Sequence, residues 1–85
     1  MTPYRVFIAA EVVATLRTCG KREQQIITRL FDQLAQEPFL PGDYAEQDEI
    51  GRPIQVVIAG TSAICFWTDH AVREVKIIDV KSAGR

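Results

Sequence analysis

The sequence contains few cysteines and histidines, and their spacing does not suit a metal. Its 85 residues include two cysteines, Cys19 and Cys65, and a single histidine, His70. Two thiols are too few for the disulfide framework of a small secreted domain, and no C-x-x-C or H-x-x-x-H pattern accompanies them. We therefore expect two reduced, mostly buried thiols, no metal site and no cofactor.

Long apolar runs are also missing. The longest early run, from Val6 to Ala10, is followed at once by Glu11, and it is far shorter than a signal-peptide core or a membrane-spanning helix. The sequence shows no internal repeat or linker, and 85 residues give room for one domain. We expect a single domain over residues 1–85 that is soluble and cytoplasmic and has no membrane partner.

Positive charge is not in excess either. Ten Lys and Arg residues stand against eleven Asp and Glu residues, so the net charge is −1 and no global positive field would attract nucleic acid. Four acidic residues fall close together: Asp43, Glu46, Asp48 and Glu49. Their spacing lacks the glycine turn and the final bidentate Glu of a calcium loop. It favours an exposed strand edge over a metal site.

Hydrophobic periodicity in the first half predicts one strand and two helices. Residues 4–9 are rich in β-branched and aromatic side chains, which favour a strand. A short helix is expected over residues 11–18, ended by Gly20 in a left-handed conformation. The clearest helix covers Lys21 to Glu37 and stops at Pro38. Its apolar side chains share one stripe: Ile26, Ile27, Leu30, Phe31 and Leu34.

The second half is typical of consecutive strands joined by tight turns. A weak edge strand is expected at 44–49, followed by strands at 54–59 and 61–68 and a last one through Val75 and Ile77. Residues 63–67 are apolar in both parities, so this strand should be central and covered on both faces. The helices supply one cover. We expect the other face to be an apolar patch that marks an interaction site.

Three cations and the histidine are the candidates for chemistry: Arg52, Arg73, Lys76 and His70. A cation at a strand end would stabilise the charge that builds on phosphate oxygens during phosphodiester cleavage. Arg73 and Lys76 are expected on opposite faces of the last strand. Asp69 beside His70 would tune a general base. The alternative is that the cations pair with acidic neighbours on a solvated face and that His70 fills a turn.

Three motifs in the second half carry a family resemblance: GRPIQV at 51–56, AICFWTDHA at 63–71 and EVKI at 74–77. With a strand and two helices before them, they resemble the RelE/ParE superfamily of bacterial type II toxins over nearly the whole chain. The resemblance implies an α+β fold of order β-α-α-β-β-β(-β). In it, a helical hairpin packs on a small, curved, mainly antiparallel sheet.

The resemblance also implies the toxin component of a toxin–antitoxin system, a class tied to plasmid stabilization, which a cognate antitoxin binds and masks. RelE members are mRNA interferases that cleave messenger RNA, commonly on the ribosome, by in-line attack of the ribose 2′-hydroxyl without a metal. ParE members poison DNA gyrase instead. The alternatives to an endoribonuclease are therefore a gyrase-binding toxin and an inactive antitoxin-binding module.

The nuclease members use basic residues on the sheet face together with a Tyr or His toward the C-terminus. In this sequence, Arg52, Arg73 and Lys76 offer the cations. We also expect the apolar patch to make the free protein self-associate as a dimer, in competition with the antitoxin.

Overall fold

The computed structural model describes residues 3–83 as two helices packed on one face of a five-stranded sheet. In chain order the elements are β1 (Arg5–Ile8), α1 (Ala10–Thr18), α2 (Lys21–Gln36), β2 (Tyr44–Gln47), β3 (Pro53–Ala59), β4 (Ser62–Asp69) and β5 (Glu74–Ser82). The predicted α+β class and element order are confirmed. Neither helix is long and apolar enough to cross a membrane.

The sheet has the strand order β1-β5-β4-β3-β2. The β1–β5 pair is parallel, and every other neighbouring pair is antiparallel. The doubly apolar strand, β4, is therefore central, as its sequence predicted. The acidic strand β2 lies at one edge with all four residues exposed.

The main core forms where α2 packs on the sheet. Ile27 and Leu34 have no exposed surface, and they belong to one cluster with Ile64 and Phe66 of β4. The helical spacing of the apolar residues in α2 turns their stripe toward the sheet. Ile26, which was expected in this stripe, is only half-buried because it lies at the stripe's margin.

The link between the helices differs from the expectation. Gly20 has φ −64° and ψ 160° and is the N-cap of α2, while the C-cap of α1 is the extended residue Cys19. The expected left-handed cap at Gly20 is wrong, because α2 starts at once and an N-cap residue is extended. Positive φ angles occur instead at Gly51 (83°) and Gly60 (62°), in the turns that precede β3 and β4.

The sheet face opposite the helices, here called the open face, has a small core of its own. Its four buried residues are 0–4% exposed: Ile54, Val56, Ala63 and Cys65. Trp67 packs against them. The expected bare apolar patch at Ala63 and Cys65 is therefore wrong, since the chain buries these side chains itself. Above this cluster, Lys81 of β5 and Glu46 of β2 form an ion pair that crosses β3 and β4, the strands that contain the cluster.

Candidate functional site

Two cations lie over the ring of Trp67 on the open face. Arg52 Cζ is 4.2 Å from the ring centroid and Lys76 Nζ is 5.5 Å from it. Lys76 is the partner of Trp67 in the β4–β5 register, so both side chains leave the same face of the sheet. The arrangement places two positive groups beside one aromatic surface.

A β-bulge in β5 places two lysines on the open face. Cys65 pairs with Asp79 but the next residue, Phe66, pairs with Ile77, so Ile78 is the extra residue. Five positions separate Lys76 from Lys81, and strict alternation would put them on opposite faces. The bulge resets the alternation and turns both lysines to the open face. Nothing in the sequence pattern announced this bulge.

The turn before β3 fixes the position of Arg52. Asp48 Oδ1 accepts hydrogen bonds from the backbone N–H groups of Ile50 (3.0 Å) and Arg52 (2.8 Å). Its other oxygen lies 3.6 Å from Arg52 Nε, and Gly51 supplies the left-handed residue that the turn requires. With Nε toward Asp48 and the guanidinium plane over Trp67, the two Nη groups have no partner among residues 3–83 and are available to an anion.

Ion pairs connect the charged side chains around Trp67. Lys76 Nζ is 3.4 Å from Glu74 Oε1, and Arg5 Nη2 is 2.8 Å from the other oxygen of that carboxylate. Arg5, Arg52 and Lys76 thus share this part of the open face with three carboxylates, since Asp69 is paired with Glu74 in the β4–β5 register and lies on the same face as Asp48 and Glu74.

His70 lies apart from Lys76, in the turn after β4. The ring of Phe39 stacks on it with centroids 4.4 Å apart and an angle of 13° between the planes. Its Nδ1 is 2.9 Å from the hydroxyl oxygen of Tyr4. Of the two roles considered for Asp69, the structure shows the turn role: Asp69 Oδ1 accepts the N–H of Ala71 and closes the turn. Tyr4 was missed because it is 66 positions away.

A cleft of about 430 Å³ brings His70 and Arg52 together. Trp67 and the loop that follows α2 also line it. Arg73 is not in this cleft. It precedes β5 with φ 57°, so its expected place on the last strand is wrong: a left-handed residue turns the chain and cannot continue a strand.

The acidic segment is used to hold the fold together. Asp43 Oδ2 accepts the N–H of Ile58 at 2.7 Å, Glu46 pairs with Lys81, and Asp48 closes the turn described above. In the part of the chain that the structure describes, no group of three or more His, Cys, Asp or Glu side chains is placed to hold a metal ion.

Comparison with known proteins shows a similarity of structure. No protein-family model matches the sequence, and no curated protein sequence matches it. A chain of the archaeal RelE–RelB complex from Pyrococcus horikoshii OT3 superposes with a TM-score of 0.81 at 24% identity, covering 100% of this chain and 99% of that chain. A chain of the toxin–antitoxin complex RelBE2 from Mycobacterium tuberculosis gives 0.78 at 22% identity, covering 96% and 93%. The protein thus has the fold found in these two complexes, and the predicted RelE/ParE-like fold is confirmed.

Proposed function

We propose that this protein is the toxin of a type II toxin–antitoxin pair and that it cleaves messenger RNA without a metal ion. The observation that carries the proposal is the placement of Arg52 and Lys76 over one ring, on the sheet face that the helices leave free. The fold supports the toxin assignment, because both structural neighbours come from complexes of RelE and RelB type. We also propose that the protein acts in the cytoplasm and that its partner is a cognate antitoxin.

The two cations suit the charge that develops during in-line cleavage. When a ribose 2′-oxygen attacks the adjacent phosphorus and the 5′-oxygen leaves, negative charge grows on the nonbridging oxygens. The free Nη groups of Arg52 can hold two of these oxygens as a fork. Lys76 adds a second positive charge from β5, on the other side of β4.

His70 is the proposed group for proton transfer. It lies in the same cleft as Arg52, and its Nδ1 is engaged by Tyr4. The opposite ring nitrogen, Nε2, is then the atom that exchanges a proton with the RNA, either from the 2′-hydroxyl or to the leaving oxygen. Arg73 lies outside the cleft, and we assign it only a contact with the RNA backbone away from the reacting phosphate.

A toxin of the ParE type, which binds DNA gyrase, is the second candidate. It is favoured by the net charge of −1, since RNA binding draws its affinity largely from phosphate neutralisation. The two functions predict different cellular targets. Cleaved messenger RNA, bound to the ribosome or free, supports the first, and inhibited gyrase with intact messenger RNA supports the second.

Induced expression with and without the neighbouring reading frame tests the proposal. The wild-type protein should arrest growth and produce cleaved transcripts, and co-expression of the antitoxin should relieve both effects. Arg52→Ala and Lys76→Ala should lose toxicity yet keep antitoxin binding and thermal stability. Arg17→Ala removes an exposed cation from α1 and is the matched control, which should remain toxic.

Three results would count against this function. Growth without arrest would reject the toxin assignment, and arrest with intact transcripts would reject the nuclease. Full toxicity of both cation variants would reject the proposed site. For metal independence, purified protein should cleave RNA equally well in the presence of a chelator.

A further inference from the structure

The cleft beside Arg52 has more room and more aromatic surface than a phosphate requires. Its volume is about 430 Å³, and a phosphate bound at Arg52 would occupy only part of this space. Phe39, from the loop after α2, and Trp67, from β4, both line it. A flat apolar group attached to that phosphate would therefore find a surface on which to pack.

Phe39 and His70 form a preassembled stacking surface in this cleft. The Phe39 ring is 76% exposed although it lies parallel to His70, which Tyr4 holds through Nδ1. An exposed large apolar ring is normally unfavourable in water. Proteins that bind single-stranded RNA stack unpaired bases on aromatic rings of this kind.

Gln55 adds hydrogen-bond donors of defined orientation to the cleft. The backbone N–H of Gly42 donates to Gln55 Oε1 at 2.8 Å, which identifies that atom as the oxygen. The adjacent Asp43 holds the Gly42 segment against β3, because its backbone N–H donates to the carbonyl of Val56 at 2.7 Å. The Nε2 group of the half-buried Gln55 has no hydrogen-bond partner within residues 3–83.

We propose that this cleft binds the base of one RNA nucleotide whose phosphate lies at Arg52, and that Gln55 discriminates against adenine. Guanine, uracil and cytosine each present a carbonyl oxygen to the Nε2 donors. Adenine has only ring nitrogens as acceptors, and its N7 lies beside an amino donor where guanine has a second acceptor, O6. The usual two-bond pairing of Gln with adenine also needs Oε1 as an acceptor, and the N–H of Gly42 already occupies it. This inference rests on the proposed RNA-cleaving function and adds a base preference to the same site.

The test is the binding of GMP and AMP, two purine nucleotides of similar size, to the purified full-length protein. Trp67 is the only tryptophan and lines the cleft, so its indole N–H signal in ¹H–¹⁵N spectra reports binding there. Both nucleotides should shift this signal in a saturable way. GMP should bind about five- to tenfold more tightly, the range expected for one or two hydrogen bonds.

Variants at Gln55 test its role directly. Gln55→Glu keeps an oxygen for Gly42 but replaces the donors by an acceptor, and Gln55→Met removes the donors without adding charge. Both should abolish the preference for GMP. Gln25→Glu on the exposed side of α2 makes the same charge change outside the cleft and should keep it. Phe39→Ala should weaken GMP and AMP equally.

Several outcomes would overturn the proposal: no shift of the Trp67 signal at millimolar nucleotide, equal affinities in the wild type, or a GMP preference that survives in both Gln55 variants. These results are independent of the nuclease. If wild-type protein cleaves RNA but does not distinguish GMP from AMP, the base site is rejected and the nuclease stands. If GMP is preferred but messenger RNA stays intact in cells, the nuclease is rejected and the base site stands.

Discussion

Lys81 Nζ lies 3.6 Å from Glu46 Oε1, although β4 and β3 separate the strands that carry them. Adjacent strands are about 4.8 Å apart, so the backbones of β5 and β2 would be on the order of 14 Å apart in a flat sheet. Two long side chains are needed to bridge this gap, and they meet above the cluster that contains Cys65. The bridge helps to explain how the open face buries its own apolar residues.

The first prediction is that Glu46→Ala makes Cys65 more reactive. Burial raises the pKa of the Cys65 thiol, and the nearby Glu46 charge raises it further. Removing Glu46 opens the bridge, which makes the thiol more accessible. It also lowers the pKa of Cys65, which increases the fraction present as reactive thiolate. The rate of thiol labelling at neutral pH should therefore rise in a Cys19→Ser background. Glu49→Ala, an exposed acidic residue nearby, should leave the rate unchanged.

Lys81→Ala separates the two effects. It opens the same bridge but removes a positive charge that lowers the pKa of Cys65. Labelling should then be slower than in Glu46→Ala. Equal rates in the wild type and both variants would show that the bridge does not protect the thiol.

The second prediction concerns the main core. Leu30 is 7% exposed in the α2 stripe, and Leu30→Ala should lower the free energy of unfolding by about 2–5 kcal/mol. Chemical denaturation measures the difference, and Ile26→Ala at the half-buried margin should lose less. A loss below about 0.5 kcal/mol for Leu30→Ala, typical of a surface change, would contradict the packing of α2 on the sheet.

The third prediction is a loss of stability in acid that depends on Glu23. Its carboxylate accepts hydrogen bonds from the Ser62 hydroxyl at 2.8 Å and from the backbone N–H of Thr61 at 2.9 Å, and these lower its pKa from 4.5. Because the pKa of Glu23 is lower in the folded state, its carboxylate stabilises the fold at pH values above the unfolded-state pKa. This stabilisation disappears as the pH falls through the folded-state pKa. The melting temperature should therefore decrease as the pH is lowered below about 4.5. Glu23→Gln should reduce this decrease. An identical acid profile for the variant would contradict it.

The fourth prediction compares two left-handed glycines. Gly60 has φ 62°, and a Cβ there would lie 2.6 Å from Glu23 Oε1, whereas Gly51 has φ 83° and open space around it. Gly51→Ala should cost only the backbone strain, about 1–2 kcal/mol. Gly60→Ala should cost more, because it also displaces the Glu23 carboxylate. In a Glu23→Ala background, Gly51→Ala and Gly60→Ala should lower the free energy of unfolding by similar amounts. An unchanged difference between them would show that displacement of Glu23 is not its cause.

The fifth prediction is self-association of the free protein. Although the open face buries Cys65, other apolar side chains of the sheet remain exposed: Phe7 is 59% exposed and Tyr44 is 48% exposed. Sedimentation velocity should detect a dimer that an added antitoxin dissociates. A monomer at all concentrations would contradict the expected homodimer.

The sequence was most informative where neighbouring residues determine the structure. The spacing of Ile27 and Leu34 predicted α2, and the doubly apolar run around Cys65 predicted a central strand. Contacts between distant residues were not predictable in this way. The sequence left Asp69 as either a partner of His70 or a turn residue, and the structure shows the turn role. The contact between Tyr4 and His70 was not predicted.

At the candidate site, too, local features were predictable and long-range contacts were not. Arg52 and Lys76 were identified by residue type and motif, but their meeting over one ring depends on the β4–β5 register and on the bulge at Ile78. Arg73 was misplaced because its left-handed backbone is set by the turn and leaves no mark on the pattern of apolar residues. Long-range pairing and single-residue backbone conformations were the missing information.

The parallel pairing of β1 with β5 bears on the order in which the protein can be completed during synthesis. Within residues 3–83, β1 pairs with no strand other than β5, and β5 follows every other strand along the chain. A growing chain on the ribosome therefore holds an unpaired first strand until its last strand emerges. Because Lys76 lies on β5, a chain that stalls before this point has Arg52 and Trp67 but not the second cation. Under the proposed function, premature fragments released from the ribosome lack the complete pair of cations and should not be toxic.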